Sequence, residues 1–380
     1  MLNAVDLFSG CGGLSLGFQN AGINITAAFE NWEVAANCYE MNFKHPVIRI
    51  DLSNIEAATK SISAFKPNII IGGPPCQDFS HAGKRIEAGR ASLTGSFAEI
   101  IKSIHPRYFV MENVDRAQNS NAYAYARQVF KEAGYGLSEI VLDASLCGVP
   151  QKRKRFFCIG ILGEYDGAVI ETITDGLSDK PTTVRDYYGE KLGFEYYYRH
   201  PRNYSRRALF SIDEPAPTMR GVNRPVPKGY PGHPNDACPL NDSIRALTTQ
   251  ERALIQTFPS TFIWSGNKTD TEQMIGNAVP VKLAEFVAKA LLKFIEEKQE
   301  TTNSTSFEDW LMKEKNYSIR SARDVLSRCK RAERILPSNG IPTELYQFTL
   351  EQQPEYKALS VNVRSQIKRA LKLKCEYHTI

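Results

Sequence analysis

The sequence predicts an α/β fold: a doubly wound, mostly parallel sheet with a smaller irregular β-rich region and a C-terminal helical extension. Short continuous apolar runs such as Asn68-Ile-Ile-Ile71 and Tyr108-Phe-Val-Met111 suit strands buried on both faces. A glycine-rich turn connects the first strand directly to an apolar-periodic helix, as the first βα unit of such a sheet requires. At 380 residues the chain is long enough to bury a substantial core and to hold two or three domains.

The first unit runs from Val5 to Phe18, a strand ending in Asp6-Leu-Phe8, a turn containing Gly10, Gly12 and Gly13, and a helix starting near Leu14. The glycines leave room for a ligand against the backbone, and the helix start points amide donors at it. The spacing is a poor match to G-x-G-x-x-G, so the turn alone is weak evidence for any nucleotide. About 20 residues on, a second strand from Ile25 ends in Glu30, where doubly wound folds grip a ribose. Val47 to Ile50 ends in Asp51, a carboxylate able to accept from an adenine amine. Three strand ends thus surround one adenosine-shaped site.

The fourth strand ends in Gly72-Gly-Pro-Pro-Cys-Gln77. Pro74 and Pro75 fix φ and remove two backbone donors, so Cys76 cannot continue the strand and is held in one orientation at its mouth. A positioned nucleophile and a structural cysteine under a loop both fit that segment taken alone. The fifth strand ends in Glu112-Asn-Val114, a carboxylate beside a thiol and so a candidate for acid–base chemistry. Gln151-Lys-Arg-Lys-Arg155 precedes another strand, Phe156 to Ile161. A basic run is commonly a solvated or phosphate-binding face, yet alternation places Gln151, Arg153 and Arg155 on one side of an extended segment, able to clamp a planar group.

These blocks, with Gln273-Met-Ile-Gly-Asn-Ala-Val-Pro280 near the end, resemble in order and spacing those of the C5 cytosine-specific DNA methyltransferases over roughly residues 1 to 295. The resemblance implies a Rossmann-like catalytic domain that uses S-adenosyl-L-methionine, yields S-adenosyl-L-homocysteine and needs no metal. Cys76 matches the nucleophile that adds to cytosine C6, Glu112 the acid at N3, and Arg153 and Arg155 the arginines that hold the base, Arg155 nearest O2. Phe8, Gly10, Gly12, Glu30, Asp51, Pro75, Leu93 and Asn277 match the cofactor pocket, and the distant Asn277 implies that the helix after Pro280 packs back on the first strand. The target base must be flipped out of duplex DNA. Ser80, Gly83, Lys84 and Arg85 sit in a stretch suited to phosphate contact, and Thr218, Arg220, Arg224 and Arg206 are candidate contacts in the recognition region.

The pattern departs from the family at Asp78, at Asn31-Trp32 and at Thr94-Gly-Ser-Phe97, none of which removes a catalytic group. A tRNA methyltransferase of the same family shares the catalytic blocks, but its usual Cys-Phe-Thr tripeptide is missing from the recognition region here. A noncatalytic DNA-binding relative is expected to lose the thiol or the acid, and both are present. A nicotinamide oxidoreductase is disfavoured by the poor glycine fingerprint.

The resemblance divides the chain into residues 1–162, the cofactor-binding catalytic domain; 163–243, the target-recognition domain; 244–298, a return segment completing the catalytic domain; and 299–380, a linker and basic helical extension. It leaves room for a cognate restriction endonuclease acting on the same site, and the enzyme is expected to be a monomer on duplex DNA. No secretory leader and no apolar run of about 20 residues is visible, so a cytoplasmic protein without membrane contact is expected. Eight scattered cysteines without C-x-x-C pairs argue against zinc and against a disulfide framework. Residues 301–380 hold 14 Lys and Arg against 9 Asp and Glu, whereas the first 300 hold 33 of each, so the whole net charge of +5 lies in the extension.

Overall fold

The computed structural model describes residues 2–75, 92–201, 203, 205–338, 341 and 343–378, with backbone alone for 299–306, 343, 344 and 378. Cys76, Ser80, Gly83, Lys84 and Arg85 lie outside the described residues, as does Asp78.

The chain resolves into two compact units, Met1–Leu292 and Lys293–Ile380. The first opens with β1 (Asn3–Leu7), α1 (Gly13–Asn20), β2 (Asn24–Phe29), α2 (Glu33–Glu40), β3 (Val47–Ile48), α3 (Ile55–Ser63) and β4 (Ile69–Gly72). It continues through α4 (Leu93–Ile104), β5 (Tyr108–Val114), α5 (Asn121–Glu132), β6 (Tyr135–Asp143), β7 (Gln151–Lys152) and β8 (Lys154–Leu162). Seven strands form one sheet in the order β3-β2-β1-β4-β5-β8-β6. All its pairings are parallel except those of β8, which runs antiparallel to both β5 and β6. The predicted doubly wound, mostly parallel sheet is therefore present. The chain leaves β1 toward β2 on one side and returns at β4 on the other, which opens a crevice at the carboxyl ends of β1 and β4.

The sheet sits where apolar composition demands. Val5, Leu7, Ile69, Ile70, Ile71, Phe109 and Val110 are fully buried. Phe97 of α4, Phe109 of β5 and Phe130 of α5 stack one helical layer on the sheet, with ring centroids 4.3 Å apart for Phe109 and Phe130. Both helices start on serine caps: Ser92 Oγ accepts from Gly95 N at 3.0 Å, and Ser120 Oγ from Tyr123 N at 3.1 Å.

The expected end of the fifth strand in Glu112-Asn113-Val114 is present, with the ladder to β8 running through Glu112↔Phe157 to Val114↔Arg155. The strand β6 was not anticipated. The segment after Pro280 packs on α1, the helix that follows β1: a Cβ on Gly17 would overlap Ala284 Cβ.

Beyond β8 the first unit holds α6 (Ile170–Asp175), α7 (Val184–Tyr188), β9 (Tyr196–Tyr198), β10 (Leu209–Ser211), β11 (Ala216–Pro217), α8 (Thr249–Ile255), α9 (Lys268–Asn277) and the start of α10 (Val281–Lys313). β9 and β10 form an antiparallel pair, and β11 joins β7 in parallel. Tyr197 and Tyr198 are buried, and Tyr197, Phe210, Ile212 and Met219 share one core cluster with Leu247 and Ile255.

The second unit contains α11 (Ile319–Ile335), α12 (Thr343–Gln352), α13 (Pro354–Lys357) and α14 (Val361–His378). It has cores of its own, one of Phe307, Leu311, Ala322, Val325, Cys329 and Ala370, the other of Ala332, Tyr346, Leu350, Tyr356, Ile367 and Leu371. Among the described residues no helix is long and apolar enough to cross a membrane.

Candidate active site

A cavity of about 480 Å³ opens at the switch point of the sheet. Its walls come from the turn after β1 (Phe8 to Cys11), from Glu30 and Trp32 after β2, from Gly73, Pro74 and Pro75 after β4, from Glu112 to Val114, from Arg155, and from Met274 to Val279 with a gap at Ile275.

The turn after β1 is shaped by backbone rather than by side chains. Phe8 sits at φ 57° and Gly10 at φ 54°, the left-handed region, which costs a side-chain-bearing residue roughly 1 kcal/mol or more. A carboxylate holds that turn: Glu30 Oε2 accepts from Gly10 N and Oε1 from Trp32 N, each at 2.7 Å. Glu30, read from sequence as a ribose ligand, fixes the glycine turn, and Trp32, at the departure from the family pattern, lines the cavity.

At the other end Glu112 is buried and paired with Arg155, whose Nε lies 2.8 Å from Oε1. Burial pushes the Glu112 carboxyl above its ordinary range, against the pull of the Arg155 and Arg153 charges. Next to it, Asn113 Nδ2 donates to Pro74 O at 3.0 Å and so ties β5 to the two prolines that precede Cys76. Cys11 is the one thiol among the described lining residues. Burial raises its pKa well above normal, and it sits 4.0 Å from Met274 O, which marks an inert packing cysteine.

Arg153 and Gln151 are placed differently from Arg155. Arg153 does not line the cavity; its buried guanidinium donates to Met219 O at 2.9 Å, Gly276 O at 2.8 Å and Ala278 O at 3.1 Å. Gln151 donates to Gln256 Oε1 at 2.7 Å and accepts from Met219 N at 2.8 Å, and Gln256 donates to Ala278 O at 3.1 Å. These two residues cross-tie the segment after β11 to the wall around Asn277 rather than facing the cavity. Gly276 allows this approach, since a Cβ there would overlap the Gly221 backbone.

Of the remaining expected cofactor contacts, Gly12 is in the turn at φ 96°, with its Cβ direction filled by Phe43. Asn277 lines the cavity. Asp51 is exposed and accepts from Ser53 N at 2.9 Å, and neither it nor Leu93 is among the described lining residues. In the recognition region, Thr218 Oγ1 donates to Lys152 O at 2.9 Å and Arg220 donates to His200 O, while Arg206 and Arg224 are exposed. A buried ion pair that sequence reading missed, Arg252 with Glu272, is joined by Thr249 and Asn223 and accompanies an Arg252 bond to Arg220 O.

The cavity fits an adenosyl sulfonium ligand. Ser9 Oγ is buried with no hydrogen-bond partner among the described residues, and a Cβ on Gly10 would meet only open space. Each Glu30 oxygen keeps acceptor capacity for a ribose hydroxyl.

Comparison with known proteins points the same way. A profile of the C-5 cytosine-specific DNA methylase family matches residues 2–293. The Type II methyltransferase M.HindV of Haemophilus influenzae is 57% identical over 298 residues, covering 78% of this chain and 98% of that protein. The Type II methyltransferase M.HgiDI of Herpetosiphon aurantiacus is 52% identical over 295 residues, 77% of this chain and 95% of its own. Among solved structures, a putative DNA modification methyltransferase encoded within an E. coli prophage shares the fold at TM-score 0.57 and 22% identity, covering 78% of this chain and all of that one.

Proposed function

The chain belongs to the C-5 cytosine-specific DNA methylase family, and from that membership we propose how its residues divide the work. It is a DNA (cytosine-5)-methyltransferase, and enzymes of its family use S-adenosyl-L-methionine. The tRNA and noncatalytic alternatives are not favoured, because the matching family is one of DNA methylases and the relatives at 52 and 57% identity are Type II methyltransferases by name.

The observation that carries the assignment of roles is the Glu112–Arg155 pair, set in the same cavity wall as Pro74 and Pro75. Cytosine C5 is too weak a nucleophile to accept a methyl unaided. The Cys76 thiolate adds at C6, and the electron pair displaced toward N3 is met there by a proton from Glu112, whose burial favours the protonated form. Arg155 orients Glu112 and donates toward O2 of the flipped base. Bound S-adenosyl-L-methionine supplies an electrophilic methyl, which C5 of the resulting enamine takes up. Loss of the C5 proton to water or hydroxide then expels the Cys76 thiolate, and N3 returns its proton to Glu112, which restores aromaticity and the acid.

Phe8, Gly10, Glu30 and Asn277 hold the cofactor, with Ser9 as an added donor. Pro75 positions Cys76, and Arg153 acts as a positioning residue through the carbonyls it holds. Asp51 and Leu93 remain cofactor contacts by resemblance, as Ser80, Gly83, Lys84 and Arg85 remain phosphate contacts. Residues 163–243 serve as the recognition region, where Arg206 and Arg224 have the exposure that DNA contact needs. The reading includes release of S-adenosyl-L-homocysteine, no metal, a monomer on duplex DNA in the bacterial cytoplasm, and a cognate endonuclease sharing the site.

Duplex DNA substituted with 5-fluorocytosine tests the chemistry, because fluorine cannot leave as a proton and the thiol adduct persists. An adduct mapped to Cys76 is expected; an adduct at another cysteine, or none from an enzyme that methylates ordinary DNA, contradicts the mechanism.

A further inference from the structure

The family match ends at residue 293, where the second unit begins, and relatives matched over 95 to 98% of their own length have no counterpart to it. The methyl-transfer chemistry of the family therefore does not require that unit. Its main helix, α11, is strongly two-faced. Ser318 caps it by accepting from Ser321 N at 3.2 Å, and Ala322, Val325, Cys329 and Ala332 are buried at spacings of three and four residues. At 100° per residue the side directly opposite carries Arg320, Arg323, Lys330, Arg331 and Arg334, all exposed. Between them sits only Ser327, with Asp324 at one margin.

Cations on a helix surface are often neutralised by neighbouring acids. Here only Arg323 is, by Glu308 at 3.2 Å; Arg320, Lys330, Arg331 and Arg334 have no carboxylate within 4.0 Å among the described residues. The stripe spans 14 residue steps, about 21 Å of helix. Its guanidinium forks match phosphate oxygens, and duplex DNA offers a negative charge for every ~1.7 Å of axis. Residues 301–380, which include this helix, hold 14 Lys and Arg against 9 Asp and Glu, the chain's entire net charge of +5.

We propose that the exposed cationic stripe of α11 binds the phosphate backbone of duplex DNA without regard to sequence, giving the enzyme a second, tethered hold on its substrate. The proposal rests on DNA being that substrate. Phosphate contact carries no sequence information, so this hold raises local DNA concentration at the chemistry without altering the recognition site. Leu345, Phe348 and Val361 are also exposed in the unit, but they are apolar and nothing complementary to them is evident.

The test uses the full-length enzyme with Arg320, Lys330, Arg331 and Arg334 all changed to glutamine, beside a variant in which the three arginines become lysine. Binding to a duplex lacking the target site is measured by fluorescence anisotropy across a salt series, with circular dichroism as the folding check. The glutamine variant should bind about tenfold or more weakly at physiological salt, and its plot of log affinity against log salt should flatten by ~0.9 for each phosphate it no longer neutralises. Single-turnover methyl transfer at saturating DNA should be unchanged, and the lysine variant should keep most of the binding. An unchanged affinity and salt slope in a folded glutamine variant overturns the proposal and leaves the unit to a protein partner. A weakening confined to duplexes containing the target site overturns it too. If the wild type binds as expected but methylates no DNA, the functional reading fails, and the stripe stands as a phosphate-binding surface but not as a hold on substrate.

Discussion

The Nε of Arg155 lies 2.8 Å from Oε1 of Glu112, across the β5–β8 ladder, with both side chains largely withdrawn from solvent. The pairing has two opposed effects. Burial favours the protonated acid, and the arginine favours the carboxylate.

Neutralising Arg155 therefore raises the Glu112 pKa further. In Arg155→Gln the alkaline limb of the pH profile for single-turnover methyl transfer should move to higher pH, with the rate also reduced because the cationic donor to the base is gone. Glu112→Gln should fall roughly 10²- to 10⁴-fold in rate, the usual worth of a positioned acid, and should lack that limb altogether. A limb that stays in place in Arg155→Gln assigns it to another group.

A second buried acid makes a prediction about stability. Asp6 of β1 is fully buried, takes a 2.7 Å bond from Ser15 Oγ, and burial raises its pKa from 3.8 to about 7. An acid whose pKa is raised by folding binds more protons folded than unfolded, so its contribution is full below pH 3.8 and is lost as pH rises through 7. Asp6→Asn should flatten this slope and be more stable than wild type at pH 8, by on the order of a few kcal/mol. Denaturant unfolding of both proteins across pH 4 to 8 gives the comparison, and parallel curves contradict the assignment.

The Arg252–Glu272 pair is almost fully buried. Replacing Arg252 by methionine leaves a carboxylate without its counter-charge and should cost about 3–5 kcal/mol, whereas replacing both partners by apolar residues of similar volume should cost much less. Urea melts of the two single variants and the double variant read out this coupling. Additive losses would show that the pair acts as two independent residues.

Gly276 lies where the segment after β11 meets the cavity wall, and Arg153 grips its carbonyl at 2.8 Å. Gly276→Ala drives a methyl into the Gly221 backbone and should cost about 1–3 kcal/mol while lowering the rate more than the cofactor affinity. Calorimetric binding of S-adenosyl-L-homocysteine beside a rate assay separates the two effects; equal losses in both count against a positioning role.

The sheet and most of the cavity were legible in the sequence because each depends on local signals. Continuous apolar runs mark β1, β4 and β5, the glycine turn marks the first βα junction, and paired prolines mark the end of β4. The residues that hold the site together were not legible, since their partners are remote in sequence. Arg153 meets Met219, Gly276 and Ala278 at separations of 66 to 125 residues, so an alternation argument placed it beside the base with Arg155. Glu272 carries no local mark distinguishing it from an exposed helix acid.

The most direct test of the central claim is transfer of labelled methyl from S-adenosyl-L-methionine to unmethylated duplex DNA and, in parallel, to tRNA, by wild type and by Cys76→Ala. Label recovered as 5-methylcytosine in DNA alone, and abolished in Cys76→Ala, is the predicted result. Label in tRNA but not in DNA, or undiminished transfer by Cys76→Ala, would contradict the account.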